Sequence, residues 1–120
     1  MNKYEKDRSF EHAVVYILLK NKEFTDVSVG EIIYMADIHH LLVYNSVITG
    51  KEFMYPNSYE LSETSIHKMM HKKNQLLAKY KKEDELTYLT DTAKQSLDFA
   101  ITRYKADYCI LPDKISKKNL

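Results

Sequence analysis

The chain has little glycine, proline or cysteine and no tryptophan. Two Gly and two Pro among 120 residues leave few sites for tight turns and favour long helices joined by short polar connections. The lone cysteine, Cys109, has no partner for an internal disulfide. The longest strongly apolar run, Ala13–Leu19, is far shorter than the ~20 residues that cross a bilayer, and the first residues have no signal-like apolar run. These absences predict a cytoplasmic protein without a membrane span.

The chain also has no excess of positive or negative charge. The sequence has 18 Lys and Arg against 17 Asp and Glu, a formal net charge of +1, so no global field draws the protein toward nucleic acid or a membrane. With 120 residues and 44% hydrophobic content, the chain can close one core. We therefore expect a single domain.

Apolar periodicity and capping residues predict four helices. The first covers Phe10–Lys20 after a Ser9 cap, and the second covers Val29–Tyr44 after a capping box formed by Ser28 and Glu31. The second is apolar nearly all round, which predicts a central helix. The remaining predicted elements are a third helix at Glu63–Lys82, a fourth from Thr90 or Asp91 to Lys105, and extended segments at Lys51–Tyr55 and Glu85–Leu89. The fold class predicted is mainly α (α+β), with four to five helices and a small two- to three-stranded β element.

Two residue pairs raise the question of catalysis. His67 and His71 are four residues apart on one predicted helix face, as in pairs of zinc ligands, but Lys68 stands where a zinc-protease helix has glutamate. Asp37 and His40 are three apart, so an acid-base pair and a pair of structural anchors are both consistent with their spacing. No nucleophile motif or phosphate loop accompanies either pair. We predict no catalytic residue, no metal, no cofactor and no enzyme activity; a small metalloenzyme using His67 and His71 is an alternative.

A second alternative follows from the local charge. Between Ile66 and Lys82 the chain has six lysines and no acidic residue, followed directly by Glu83, Asp84 and Glu85. Such a helix could lie along phosphates, or it could simply be a solvated face. The residues of this alternative, a basic nucleic-acid-binding regulator, are Lys68, Lys72, Lys73, Lys79, Lys81 and Lys82.

The segment "IIYMADIHHLLVYNSVITG" resembles the signature of the Panacea (SocA-like) antitoxin family. The similarity lies in Ile33-Tyr34-Met35-Ala36-Asp37, His40, Tyr44 and Ile48-Thr49-Gly50, and it extends more loosely over Ala13 to Tyr104. Where the family has a Gly-Pro-Val stretch, this chain reads Pro56-Asn57-Ser58-Tyr59-Glu60-Leu61. The resemblance is therefore to a divergent or phage-encoded member, with a Panacea-like domain at residues 1–105 and a partly docked tail at 106–120.

The resemblance implies a mostly helical fold and a function without a reaction. Family members bind proteins, neutralising a toxin or delivering it to a protease, and a phage-encoded inhibitor of a host protein is a related alternative. Asp37 and His40 are then polar anchors, and Thr49 and Gly50 turn the chain. We hypothesise that Asp37 accepts hydrogen bonds from N–H groups of residues 45–50, so that its loss costs about 1 to 3 kcal/mol. The partner surface predicted from exposed aromatic and polar loop residues comprises Tyr44, Phe53, Tyr55, Asn57 and Tyr59.

Overall fold

A computed structural model describes residues 2–49 and 65–110 of the chain, and these residues are mainly helical. Residues 65–71 are also helical, a 3-10 turn covers Glu83–Glu85, and a π-helical segment covers Lys105–Ile110. The four α-helices with described bounds are α1 (Lys3–Lys20), α2 (Asp26–Tyr44), α3 (Lys73–Lys79) and α4 (Asp91–Tyr104).

Helix α1 is the central helix. Every residue from Ser9 to Leu18 is buried, so this stretch is covered on all sides, and α1 contacts α2, α3 and α4. The predicted start at Ser9 is wrong, because Asn2 caps the helix by accepting a hydrogen bond from the Glu5 amide at 2.9 Å. The first two turns are polar and show no apolar period, so the sequence pattern missed them.

Helix α2 lies against α1 and α4 with one buried face. Its cap is Thr25, whose hydroxyl accepts from the Ser28 amide at 3.3 Å, so the predicted cap at Ser28 lies three residues too late. Ser28 is instead buried, and its hydroxyl is 2.9 Å from that of Tyr104 on α4. The prediction that α2 is the central helix is also wrong, because the side opposite its buried face is exposed.

The predicted third helix is interrupted. Residues 65–71 are helical, Lys72 adopts φ −95° and ψ 10°, and α3 then ends at Lys79 rather than Lys82. Residues 65–71 approach α2 at Gly30, where an added Cβ would lie 2.9 Å from the Ile66 side chain. The glycine therefore permits this close helix contact.

Helix α4 follows its prediction. Thr90 caps it by accepting from the Ala93 amide at 3.1 Å. Its predicted stripe is buried, and the buried residues are Ala93, Leu97, Ala100, Ile101 and Tyr104. A regular apolar period after a side-chain cap was sufficient to locate this helix.

No β-strand is present among residues 2–49 and 65–110. The extended segment predicted at Glu85–Leu89 is wrong: Glu85 ends the 3-10 turn, the following residues form turns, and the Leu89 amide donates to the Leu86 carbonyl. The Glu85 carboxylate holds this turn by accepting from the Lys81 and Lys82 amides, both at 2.9 Å. The extended segment predicted at Lys51–Tyr55 lies outside the described residues.

A buried polar network joins α1 to the segment after α3. His12 Nδ1 accepts the Tyr88 amide at 3.1 Å, so Nε2 carries the proton and donates to the Tyr80 hydroxyl at 3.1 Å. Tyr80 in turn donates to the Glu11 carboxylate at 2.8 Å, and Arg8 pairs with the same carboxylate at 3.3 Å. The His12 ring nitrogens, the Tyr80 hydroxyl and the Glu11 carboxylate are thus all hydrogen-bonded while His12 is neutral, whereas the buried Nε of Arg8 has no hydrogen-bond partner among the described residues.

This network predicts a loss of stability in mild acid. Burial lowers the pKa of His12 below its ordinary 6.5, so below about pH 6.5 the unfolded chain takes up a proton that the folded chain does not. The free energy of unfolding should fall by up to about 1.4 kcal/mol per pH unit from this residue. Urea unfolding of the wild type and His12→Phe between pH 7.5 and 5 measures it, since Phe cannot titrate. Parallel pH curves for the two proteins would contradict the prediction.

Candidate functional site

Asp37 ties α2 to the loop that follows it. One carboxylate oxygen accepts the Ile48 amide at 2.8 Å and the Thr49 amide at 3.1 Å, and the other accepts the Thr49 hydroxyl at 2.7 Å. All these groups are buried. The hydrogen bonds predicted between Asp37 and this loop are therefore present.

Two opposing effects act on the Asp37 carboxyl. Burial raises its pKa above the ordinary 3.8, while the hydrogen bonds from Thr49 and Ile48 and the nearby His40 act in the other direction. Burial is the larger effect. The hydrogen-bond donors of Ile48 and Thr49 thus stabilise the carboxylate at the edge of the core, so that it is not an unpaired buried charge.

His40 holds the same loop from a second direction. Its Nδ1 is hydrogen-bonded to the Ser46 carbonyl, which can only accept, so Nδ1 carries the proton. Nε2 of the neutral ring then accepts from the Thr92 hydroxyl on α4 at 2.9 Å. Between these anchors, Asn45 reverses the chain with a left-handed φ of 62°. The loop is therefore fixed to both α2 and α4.

These contacts account for Asp37 and His40 without catalysis. The carboxylate binds loop donors, and the imidazole binds a loop carbonyl and a hydroxyl on another helix. Their partners are typical of a pair of structural anchors, the second of the two interpretations that their spacing left open. The absence of enzyme activity stays a prediction.

An apolar face of α2 is exposed next to this anchored loop. Its residues recur at helical spacing on the side opposite the buried residues of α2. The exposed fractions are 49% for Val27, 42% for Tyr34, 41% for Ile38, 47% for Leu41 and 80% for Leu42. Large apolar side chains grouped on a surface mark interaction sites. We call these five residues the exposed α2 face.

Sequence reasoning missed this face. The helical spacing of Tyr34, Ile38, Leu41 and Leu42 is visible in the sequence. However, these residues were expected to be buried because α2 was predicted to be a central helix. A pattern of apolar residues on all sides does not reveal which side has a neighbour. That information came only from the packing of α1, which takes the central position.

Tyr44 is the one predicted partner-binding residue that the structure describes. It is exposed at the end of α2, packs beside the His40 ring, and donates its hydroxyl to the Gln95 side chain at 2.7 Å. Tyr44 therefore also links α2 to α4. The other predicted residues, Phe53, Tyr55, Asn57 and Tyr59, lie outside the described residues, as does Gly50.

The lysines of the nucleic-acid alternative do not lie on one continuous helix. The break at Lys72 separates Lys68 from those further along, and the Lys73 ammonium donates to the Lys22 carbonyl. Five of the six are exposed, and these are Lys68, Lys72, Lys79, Lys81 and Lys82. Such a distribution is typical of solvated surface lysines.

His67 and His71 do meet, and Asp26 joins them. The two Nε2 atoms are 3.1 Å apart, and His67 Nδ1 lies 2.6 Å from a carboxylate oxygen of Asp26 at the start of α2. Neither Asp37 nor His40, the third ligands considered from sequence, joins the pair, since both are bound to the loop. Among the described residues, no group of three or more His, Cys, Asp or Glu side chains is arranged to hold a metal ion.

Within residues 2–49 and 65–110, no helix combines the length and apolar character needed to cross a bilayer. Comparison of the chain with protein-family models, with curated proteins and with solved structures finds no match.

Proposed function

We propose that this protein is a cytoplasmic protein-binding module that neutralises a partner by stoichiometric binding, as expected of a Panacea-type antitoxin. The observation that carries the proposal is the exposed α2 face, in which apolar residues lie on a helix rather than in the core. A helix surface of this kind can pack into an apolar groove of another protein. Neutralisation then requires occlusion of the partner and no reaction.

The composition of α2 favours a protein over a lipid surface as the occupant. Helices that lie on membranes carry Lys and Arg along their polar side, whereas Asp26–Tyr44 contains neither residue. The polar residues in line with this face are instead Glu31, which lies between Val27 and Tyr34 on the same side of the helix, and Asn45, which follows the end of α2. Apolar side chains with a few polar groups among them are ordinary in a protein interface.

Leu42→Glu tests the proposal, with Val43→Glu as the matched control. Both side chains are exposed on the same helix, at 80% and 56%, but Val43 lies off the exposed α2 face. We expect Leu42→Glu to weaken partner binding at least about tenfold by placing a charge in an apolar contact, with little change in stability. Val43→Glu should bind as the wild type does.

The measurement is affinity capture from a host lysate on immobilised wild type, Leu42→Glu and Val43→Glu, with the retained proteins quantified by mass spectrometry. Calorimetry with the purified partner follows. A supporting result is a protein retained by the wild type and Val43→Glu, depleted on Leu42→Glu, and inhibited by one molar equivalent of the wild type. Equal retention on all three proteins would overturn the proposed surface. Reversible dimerisation abolished only by Leu42→Glu would assign the face to a second copy of this chain instead.

A further inference from the structure

We propose that His67 and His71 form a two-histidine site for a divalent transition-metal ion, oriented by Asp26. The site is independent of the proposed protein-binding function. It rests on three features of the described residues: the convergence of the two Nε2 atoms, the carboxylate bound to Nδ1 of one ring, and the exposure of both histidines.

The first feature is the distance between the two ring nitrogens. With metal–nitrogen bonds of about 2.0–2.1 Å, two ligands on one ion lie about 2.9 Å apart at a right angle and about 3.3 Å apart at the tetrahedral angle. The observed Nε2 separation is 3.1 Å, within that interval. The rings are nearly perpendicular, at 84°, with centroids 4.6 Å apart. The separation of the two nitrogens is therefore the one that two ligands of a single ion require.

The second feature is the Asp26 carboxylate, which fixes the tautomer of His67. The carboxylate accepts a hydrogen bond from Nδ1–H of His67, which leaves Nε2 of His67 with a lone pair on the side of His71. Metal-bound histidines have this arrangement, in which the second ring nitrogen donates to a carboxylate. In the metal-free pair His71 Nε2–H donates to His67 Nε2; when that proton moves to Nδ1 of His71, both Nε2 atoms become ligands.

The third feature, the exposure of both histidines to water, determines which metal ions the site would bind. Both histidines are exposed, so water can fill the remaining coordination positions. Imidazole suits Zn²⁺, Ni²⁺ and Cu²⁺, whereas Mg²⁺ prefers oxygen ligands and keeps its water. We therefore expect binding of the first group and none of Mg²⁺.

Binding joins two parts of the fold that are distant in sequence. Asp26 is the first residue of α2, and the histidines belong to helical residues 65–71. A metal ion held by the pair should strengthen the His67–Asp26 contact, since ligation makes the Nδ1 proton a better donor. The metal-bound protein should therefore be more resistant to heat than the metal-free protein.

Calorimetric titration of the untagged full chain with Ni²⁺, Zn²⁺ and Mg²⁺ at pH 7.5 tests the inference. We expect one Ni²⁺ or Zn²⁺ per chain, weaker binding at pH 5.5 because protonated imidazole is not a ligand, and no saturable uptake of Mg²⁺. His67→Gln and His71→Gln should each remove the saturable site. Asp26→Asn should weaken it by about tenfold, the lower end of the range for residues that support a metal ligand.

His39→Gln is the control, because that ring is held by Ser96 and stacks on Phe99, away from the pair. It should bind metal as the wild type does, and circular dichroism should confirm that all variants are folded. Absence of saturable binding, or binding that survives either His67→Gln or His71→Gln, would overturn the proposal. The partner-capture experiment does not depend on either outcome.

Discussion

Replacing Asp37 with alanine is expected to lower the free energy of unfolding by about 3 kcal/mol. The substitution removes the acceptor for the Ile48 and Thr49 amides and for the Thr49 hydroxyl, all of which are buried. Buried donors without partners cost about 1 to 3 kcal/mol each, and partial entry of water reduces their sum. Urea unfolding at pH 7 measures the change, and the melting temperature should fall by about 10 °C.

Asp37→Asn is the matched control. Its amide oxygen can still accept the Ile48 and Thr49 amides, and its NH₂ group can donate to the Thr49 hydroxyl after that hydroxyl rotates. The loss of a buried charge offsets part of any weakening, since burial already disfavours the ionised Asp37 carboxyl. We expect a cost below about 1 kcal/mol. An alanine variant as stable as the wild type would show that these hydrogen bonds do not hold the loop.

Replacing His40 with alanine is expected to lower the free energy of unfolding by about 3 kcal/mol. The ring is buried, so its removal leaves a cavity, and it leaves the Ser46 carbonyl and the Thr92 hydroxyl without this partner. Because His40 and Asp37 hold the same loop, their effects should not be additive. A double-mutant cycle by urea unfolding should give a coupling of about 1 kcal/mol.

Two further variants separate the contributions of His40. His39→Ala removes the neighbouring, only partly buried ring, and should cost about 1 kcal/mol. Thr92→Val removes only the hydroxyl that pairs with Nε2, and should also cost about 1 kcal/mol. Equal losses for the alanine variants of His39 and His40 would mean that the loop anchor contributes nothing beyond ring burial.

The elements that could be predicted from sequence are those whose signals are local. Helix α4 has a side-chain cap at Thr90 and a regular apolar stripe, and both lie within one stretch of chain. Its bounds were predicted to within a residue. The interaction of Asp37 with the loop was also predictable, because the acceptor and its donors are only 11 and 12 residues apart.

The features that escaped prediction depend on distant residues. His40 pairs with Thr92 across 52 positions, and His12 pairs with Tyr80 across 68 positions, and neither contact has a periodicity that a single sequence reveals. The start of α1 was missed because its first turns are held by the Asn2 cap and by contacts such as that of Tyr4 with Tyr88. The third helix was predicted to be continuous because lysine, the residue at position 72, is a good helix former and does not signal a break.

The candidate surfaces illustrate the same limit. The distribution of apolar residues predicted α2 as the central helix, and only packing determined that α1 is enclosed while α2 is exposed on one side. His67 and His71 could be paired from their spacing, but Asp26 lies 41 positions before His67 and could not be assigned to them. Sequence thus identified the histidine pair and missed the group that orients it.

The exposed α2 face is carried by a rigid support. Tyr44 is hydrogen-bonded to Gln95, and His40 is hydrogen-bonded to Thr92. These contacts hold the C-terminal half of α2 against the first turns of α4. A preorganised surface loses little conformational entropy on association. The free and bound forms of this helix should therefore superimpose to within about 1 Å, and complex formation should proceed in one kinetic step without a preceding rearrangement.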